Sequence, residues 1–273
     1  MSTLGKALVT GASRGLGRAI AIELARRGYH VIAGVRQVAE AAADLAAAVQ
    51  GLPGTLEVQA IDVANLGDYR PPADLKLLVN NAGFRGRYMA VEDSDLAEWR
   101  QTFETNVFGM IALTQRVIPA MRAAGGGIVC NIGSLGAYNP MPFYSTYRAS
   151  KLAMMAVSEA LRVELAPFNI RVVDIPIGGV DTDMMRTSLT YRPPDAWENP
   201  LYRPMAEKLA AMTGAMKGTA PPSEVVARDV VDEIFKPEGP LRRPCDPNAR
   251  GAAAAGMMQA EEQRLDAAIT RFC

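Results

Sequence analysis

Residues 6–28, KALVTGASRGLGRAIAIELARRG, constrain the fold more than any other stretch of this chain. Lys6–Thr10 is a short apolar run of strand character, and glycines 11, 15 and 17 separate it from a helix-forming run. Strand, glycine-rich turn and helix in this order make a phosphate cradle. Glycine lets the backbone approach an anion, and the helix start offers free N–H groups and the positive end of its dipole. The spacing is G-x-x-x-G-x-G, not the G-x-G-x-x-G of many dinucleotide folds. Gly11, Ser13, Arg14, Gly15, Leu16 and Gly17 are the candidate contacts of this cradle.

The strand–helix alternation continues and predicts an α/β domain. Tyr29–Val35 reads as the second strand, with Arg36 at its end, where an adenine ribose would lie. An acid there grips a free 2′-hydroxyl, whereas arginine suits a 2′-phosphate. With no acid before Glu40 and with Arg14 in the glycine loop, the pattern favours NADP(H) over NAD(H). A helix is expected over 38–49, then a strand ending at Asp62-Val63. The link from Asp62 to the fourth strand contains Pro71-Pro72 and is too short for a crossover helix, so a turn or two is expected. Asn80-Asn81-Ala82-Gly83 closes the fourth strand at the carboxyl end, where open α/β sheets bind ligands. Residues 94–122 read as one long helix whose apolar face Asn106 interrupts.

Balanced charge, 29 basic against 29 acidic residues, gives no electrostatic case for nucleic acid or an anionic membrane. No apolar run reaches the ~20 residues of a membrane helix. The strand pattern begins too early for a signal peptide, and three cysteines form no CxxC pair, which together point to a cytoplasmic location. A single histidine, His30, argues against a His-based triad or a multi-His metal site, so no metal is expected.

The chemistry sits between Ser134 and Lys151. Ser134 ends the β-like run GGIVCNIGS, and Tyr147 and Lys151 lie four apart at the start of a helical run, hence on one face. An ammonium beside a phenol favours the phenolate, as a general acid/base requires, and a serine hydroxyl can hold a carbonyl or alkoxide oxygen. Alone, Y-x-x-x-K is equally a buried tyrosine ring beside a solvated lysine.

With the upstream motifs, the chain resembles the short-chain dehydrogenase/reductase family: TGASRGLG (10–17), DV (62–63), NNAG (80–83), NVFG (106–109), Ser134 and YRASK (147–151), in order and at about the family spacing. The resemblance runs from about residue 4 to 183, more loosely to 240. It implies a Rossmann-like doubly wound parallel sheet in three layers and hydride transfer between a nicotinamide cofactor and a carbonyl or alcohol. Tyr147 would be the general acid/base, Ser134 would bind the reacting oxygen, and Lys151 would hold the nicotinamide ribose. Asn106 would support a proton-relaying water. Gly11, Gly15 and Gly17 would meet the pyrophosphate, Asp62 and Val63 the adenine, and Asn81, Ala82 and Gly83 the adenine-side ribose region. Three departures stand out. Gly133 replaces a frequent Ser and leaves more room; Pro176-Ile177-Gly178 puts the proline one residue early ahead of the nicotinamide contacts Gly178, Val180 and Thr182; and the Asp62–Asn80 link is short.

Residues 183–222 are expected to form a helical lid, with Met205, Leu209, Met212 and Met216 at helical spacing and Leu189, Tyr191 and Trp197 adding apolar surface. About half of these residues are expected to be ordinary core. Met184 and Met185, with Met141, Phe143 and Tyr144, are the candidate pocket for a bulky hydrophobic ketone or secondary alcohol. Arg85 and Arg87 flank the mouth and read as solvated loop residues before anion ligands. The domain is expected over 1–240, with a helix over 222–236 capped by Ser223. In the extension, 241–273, Leu265, Ala268, Ile269 and Phe272 share a face for packing on the domain or a partner. The resemblance implies a homodimer, with a tetramer open. A cofactor-binding sensor with little turnover and a same-fold epimerase or dehydratase are the alternatives.

Overall fold

The computed structural model describes residues 4–190, 193–245, 247–258 and 270–271. Strands β1 (Lys6–Thr10), β2 (His30–Val35), β3 (Thr55–Ala60), β4 (Leu75–Asn80), β5 (Gly127–Ser134) and β6 (Ile170–Ile177) form a parallel sheet ordered β3-β2-β1-β4-β5-β6. The order reverses between β1 and β4, which places a binding crevice at their carboxyl ends. Ala7, Leu8 and Val9 are completely buried, as a central strand covered on both faces requires.

Helices α1 (Gly15–Arg26) and α2 (Val38–Ala48) cover one face together with a later helix, Ser223–Phe235. Leu16, Ile20, Leu24, Val230 and Ile234 pack there against Val9, Ile132 and Ile175. On the other face Leu113, Val117, Met121 and Leu165 pack against Leu8, Leu78, Val129 and Val172. Each fully buried Leu or Ile contributes about 2 kcal/mol of apolar transfer free energy. The expected doubly wound, three-layer sheet is therefore what the chain forms.

Three local expectations are corrected or sharpened. The helix expected over 94–122 is broken into α3 (Leu96–Phe103), a π turn (Glu104–Phe108) and α4 (Gly109–Ala123). The extra residue of a π turn re-aims the side chains around it, and Asn106 lies inside this one. Gly109 follows because a Cβ there would stand 2.7 Å from the Val63 carbonyl oxygen. The link after Asp62 holds turns only, pinned by Arg116 donating to the carbonyls of Tyr69 (2.7 Å) and Gly67 (2.8 Å).

Helix α5 (Ser145–Leu165) follows β5; α6 (Asp183–Arg186) and α7 (Arg203–Gly214) belong to the lid, and α8 spans Ser223–Phe235. Ser223 is the first residue of α8 and not its cap; its hydroxyl donates to the Asp181 carbonyl, 2.9 Å, tying α8 to the end of β6. After α8 the chain runs beside β6: Asp174 N donates to Leu241 O (2.9 Å) and Arg243 N to Asp174 O (2.8 Å). Helix α9 (Pro247–Met258) follows. Tyr191 and the tail face of Leu265, Ala268, Ile269 and Phe272 lie outside the described residues. Among the described residues no helix is long and apolar enough to cross a membrane.

Candidate active site

The cradle at the end of β1 is made by backbone. Gly11 (φ 64°) and Gly15 (φ 54°) occupy the left-handed region, and a Cβ on Gly17 would lie 2.3 Å from both the Gly11 carbonyl oxygen and Asn81 Nδ2. Arg14 precedes α1 without capping it, so the first N–H groups of the helix are left for an anion. Thr10 braces the loop, a role sequence reasoning missed. Its Oγ1 accepts from the backbone N–H of Asn81 and Ala82, 3.0 Å each, and Asn81 Nδ2 donates to Thr10 O, 2.9 Å. The available signal was a hydroxyl at a strand end beside NNAG.

Around the cradle, Ser13, Arg14, Arg36 and Gly83 are exposed and Val63 is buried. Asp62 Oδ1 accepts from Ala64 N, 3.1 Å. Thr182 accepts from Met185 N (3.2 Å) to cap α6, and its methyl carbon would stand 3.0 Å from a Cβ on Gly15. Arg14 Nη1 approaches Asp183 at 3.7 Å, so the glycine loop meets the lid. Val180 is buried, and Met185 Cε fills the space beside Gly179, where a Cβ would be 2.6 Å away. A turn with two glycines at positive φ, an uncapped helix start and exposed Arg14 in the loop and Arg36 after β2 fit a dinucleotide phosphate chain.

The reactive end gathers Ser134, Tyr147, Lys151 and Asn106. Lys151 is 4% exposed; its Nζ donates to Ile132 O (3.0 Å) and stands 5.7 Å from the Tyr147 ring centroid. Ser134 Oγ accepts from Gly136 N (3.1 Å), which leaves its hydroxyl proton to point at a substrate oxygen. Asn106 is buried and heavily used: Oδ1 accepts from Phe84 N (2.7 Å), and Nδ2 donates to Phe84 O (2.8 Å) and Ser150 Oγ (2.9 Å). Its amide thus clamps the loop after NNAG to α5.

The other wall is aromatic. Tyr144 stacks on Tyr88 (centroids 5.5 Å) and tilts against Tyr147 (5.2 Å). Burial pushes the Tyr144 hydroxyl well above its ordinary value, with Tyr147 and Tyr88 adding to the rise and Arg85 opposing it. Phe143 adopts φ 64°, a conformation that a bulky residue holds at a cost of about 1–3 kcal/mol. Its ring points into the lid, edge-on to Tyr202 at 5.8 Å, and joins Leu189, Leu209, Met205, Met212 and Trp197 in a satellite core with Met141. Met184 and Met216 are exposed. Arg85, expected to be solvated, instead grips the lid: Nη1 donates to Met184 O (2.9 Å), Nη2 to Thr187 O (2.9 Å), and its guanidinium lies 4.7 Å over Tyr88. Arg87 pairs with Glu98 at 3.1 Å.

Residues 5–192 match the short chain dehydrogenase family. The chain belongs to this family. It is 34% identical over 238 residues to the short-chain dehydrogenase PC-15 of Penicillium crustosum, covering 85% of each chain. It is 37% identical over 188 residues to the NADPH-dependent 1-acyldihydroxyacetone phosphate reductase of Saccharomyces cerevisiae, covering 65% of this chain and 62% of that one. The crystal structure of a short chain dehydrogenase from Burkholderia cenocepacia in complex with NADP superimposes with a TM-score of 0.71 at 25% identity, covering 97% of both chains. This short-chain dehydrogenase is accordingly an oxidoreductase acting on CH–OH or C=O groups.

Proposed function

We propose that the enzyme is NADP(H)-dependent and reversibly interconverts a bulky hydrophobic ketone and its secondary alcohol, with Tyr147 as general acid/base. The observation that carries this reading is Lys151, buried, anchored to Ile132 O and set beside the Tyr147 ring while Ser134 ends the same strand. Tyr147 accepts the alcohol proton in oxidation and returns it to the carbonyl oxygen in reduction, with the Lys151 ammonium beside it. Ser134 donates its hydroxyl hydrogen bond to that oxygen and holds it through both directions.

The cofactor supplies or accepts the hydride when bound. The loop Gly11–Gly17 would hold its phosphates, Asp62, Val63 and Asn81 its adenosine side, Lys151 the second ribose, and Gly178, Val180 and Thr182 the nicotinamide. Exposed Arg14 and Arg36 supply two cations for a 2′-phosphate, and the NADP complex from Burkholderia and the NADPH dependence of the yeast reductase agree. The acylated ketone in the yeast enzyme's name fits a substrate with a long apolar arm, consistent with Met141, Tyr144, Met184 and Met185 at the mouth. Exposed Phe108, Leu152 and Val163 on the outer faces of the π turn and α5 support a homodimer.

Fluorescence titration with NADPH and NADH, followed by turnover on hydrophobic ketones with Tyr147→Phe alongside, tests this reading. Tighter NADPH binding and turnover lost in the variant are expected. Activity confined to small polar sugars, or NADH bound more tightly, would overturn the substrate or the cofactor assignment respectively.

A further inference from the structure

Asp174 lies on β6 with its side chain 3% exposed, two residues beyond Val172 and therefore on the same, α5-covered face. Its Oδ2 has no hydrogen-bond partner, and neither has Arg242 Nε, 3.9 Å away, nor the Tyr138 hydroxyl. Arg242 itself is taken by Glu159 of α5. A carboxylate present only to hold Arg242 would close that gap, because an unmade hydrogen bond at a buried charge is costly.

The other oxygen explains the glycine before the reactive serine. A Cβ on Gly133 would stand 2.6 Å from Asp174 Oδ1 and 3.3 Å from Pro176 backbone. Gly133 pairs with Pro176 and Ser134 with Ile177 across the β5–β6 ladder. The carboxylate thus occupies the space of the missing side chain, one residue from Ser134. Lys151, anchored on Ile132 O, reaches the same neighbourhood and helps hold the charge.

We propose that Asp174 is a positioning residue for the reaction: its carboxylate, admitted by Gly133, sets the field behind Lys151 and so tunes proton transfer at Tyr147. The inference rests on the reductase reading above. Burial raises the Asp174 carboxyl to about 6; Arg242 and then Lys151 pull it back, and Glu159 adds to the rise. The groups facing it are Arg242 on the returning chain, Lys151 and Glu159 on α5 and Tyr138 after β5, with the Cys130 thiol on the far face of the sheet. Ionised Asp174 offsets part of the Lys151 charge behind Tyr147; a neutral residue removes that offset.

The test is the pH profile of kcat for alcohol oxidation in the wild type, Asp174→Asn and His30→Gln. His30, the one histidine of the chain, bonds Thr55 across β2–β3 and serves as the control substitution. The wild type and His30→Gln should share an inflection near pH 6. Asp174→Asn should lose it. A profile superimposable on the wild type, or loss of the inflection in His30→Gln, overturns the proposal.

Gly133→Ser should lower kcat more than tenfold, and adding Asp174→Ala should restore most of it; failure of that rescue removes the link to the strand end. Rescue does not require Asp174→Asn to fold. If no substrate turns over, the reductase reading fails on its own. NADPH affinity measured across pH 5–8 then decides: a break near pH 6 that Asp174→Asn abolishes supports the coupling, and its absence overturns it.

Discussion

At the end of β1, a turn is held by atoms close in sequence or in the adjacent strand: Gly11 against Gly17, Thr10 against Asn81 and Ala82. Across the crevice, the lid is held by side chains from far along the chain. Arg85 reaches Met184 and Thr187, Tyr88 N donates to Asp195 Oδ2 (2.8 Å), and Asn199 Nδ2 donates to Asp93 Oδ2 (2.7 Å). The cradle tolerates no added atom, whereas the lid's outer bonds are exposed and individually weak. One region is held by close backbone contacts; the other is held by separate side-chain latches.

Replacing Tyr147 by Phe, between the two regions, should have the largest effect. Turnover should fall roughly 10²–10⁴-fold with NADPH affinity nearly unchanged, read by steady-state kinetics and fluorescence titration. A parallel loss of affinity would show that the hydroxyl belongs to the cradle. Gly17→Ala comes next. Its Cβ would meet the Gly11 carbonyl at 2.3 Å, so cofactor affinity should drop at least tenfold and stability by about 1–3 kcal/mol. Unaltered binding calorimetry and melting would mean the cradle is softer than its contacts.

Asp174 sets a comparable stability effect with a definite sign. Its folded-state carboxyl is raised from 3.8 to about 6, so the fold prefers the protonated form. That preference stabilises the fold fully below the unfolded value and is lost as pH rises through about 6. The two values differ by a little over 2 units, or about 3 kcal/mol. Wild-type unfolding free energy should therefore decline from pH 4 to 7 relative to Asp174→Asn, as followed by urea denaturation. Parallel curves would remove the buried charge. The smallest effect is expected at the lid. Arg85→Met should raise KM roughly several-fold, with kcat and NADPH affinity within about twofold, because one latch is lost and the cradle is untouched.

The cradle, the sheet and the Ser134–Tyr147–Lys151 group were legible because each is encoded by neighbours. Glycines mark a turn, apolar runs mark strands, and a four-residue spacing on a helix brings Tyr147 and Lys151 together. Asn106 stood out in the sequence as an interruption of an apolar helix face, but the π turn around it and its clamp on Phe84 and Ser150 did not. Helical periodicity tolerates one extra residue without a visible change in pattern. Phe143 reads in sequence like a pocket wall and is instead lid core, because a positive φ turns its ring towards Tyr202.

Sequence alone determined the α/β class and the family, and it singled out the glycine turn and the Ser134, Tyr147 and Lys151 positions, since these follow from local periodicity and from residue types in a set order. Only the tertiary structure decided the lid contacts of Arg85, the bracing by Thr10 and the pairing of Gly133 with Asp174. Those contacts join residues tens of positions apart, and whether two such side chains compete for the same few ångströms is settled only when the strands are laid side by side.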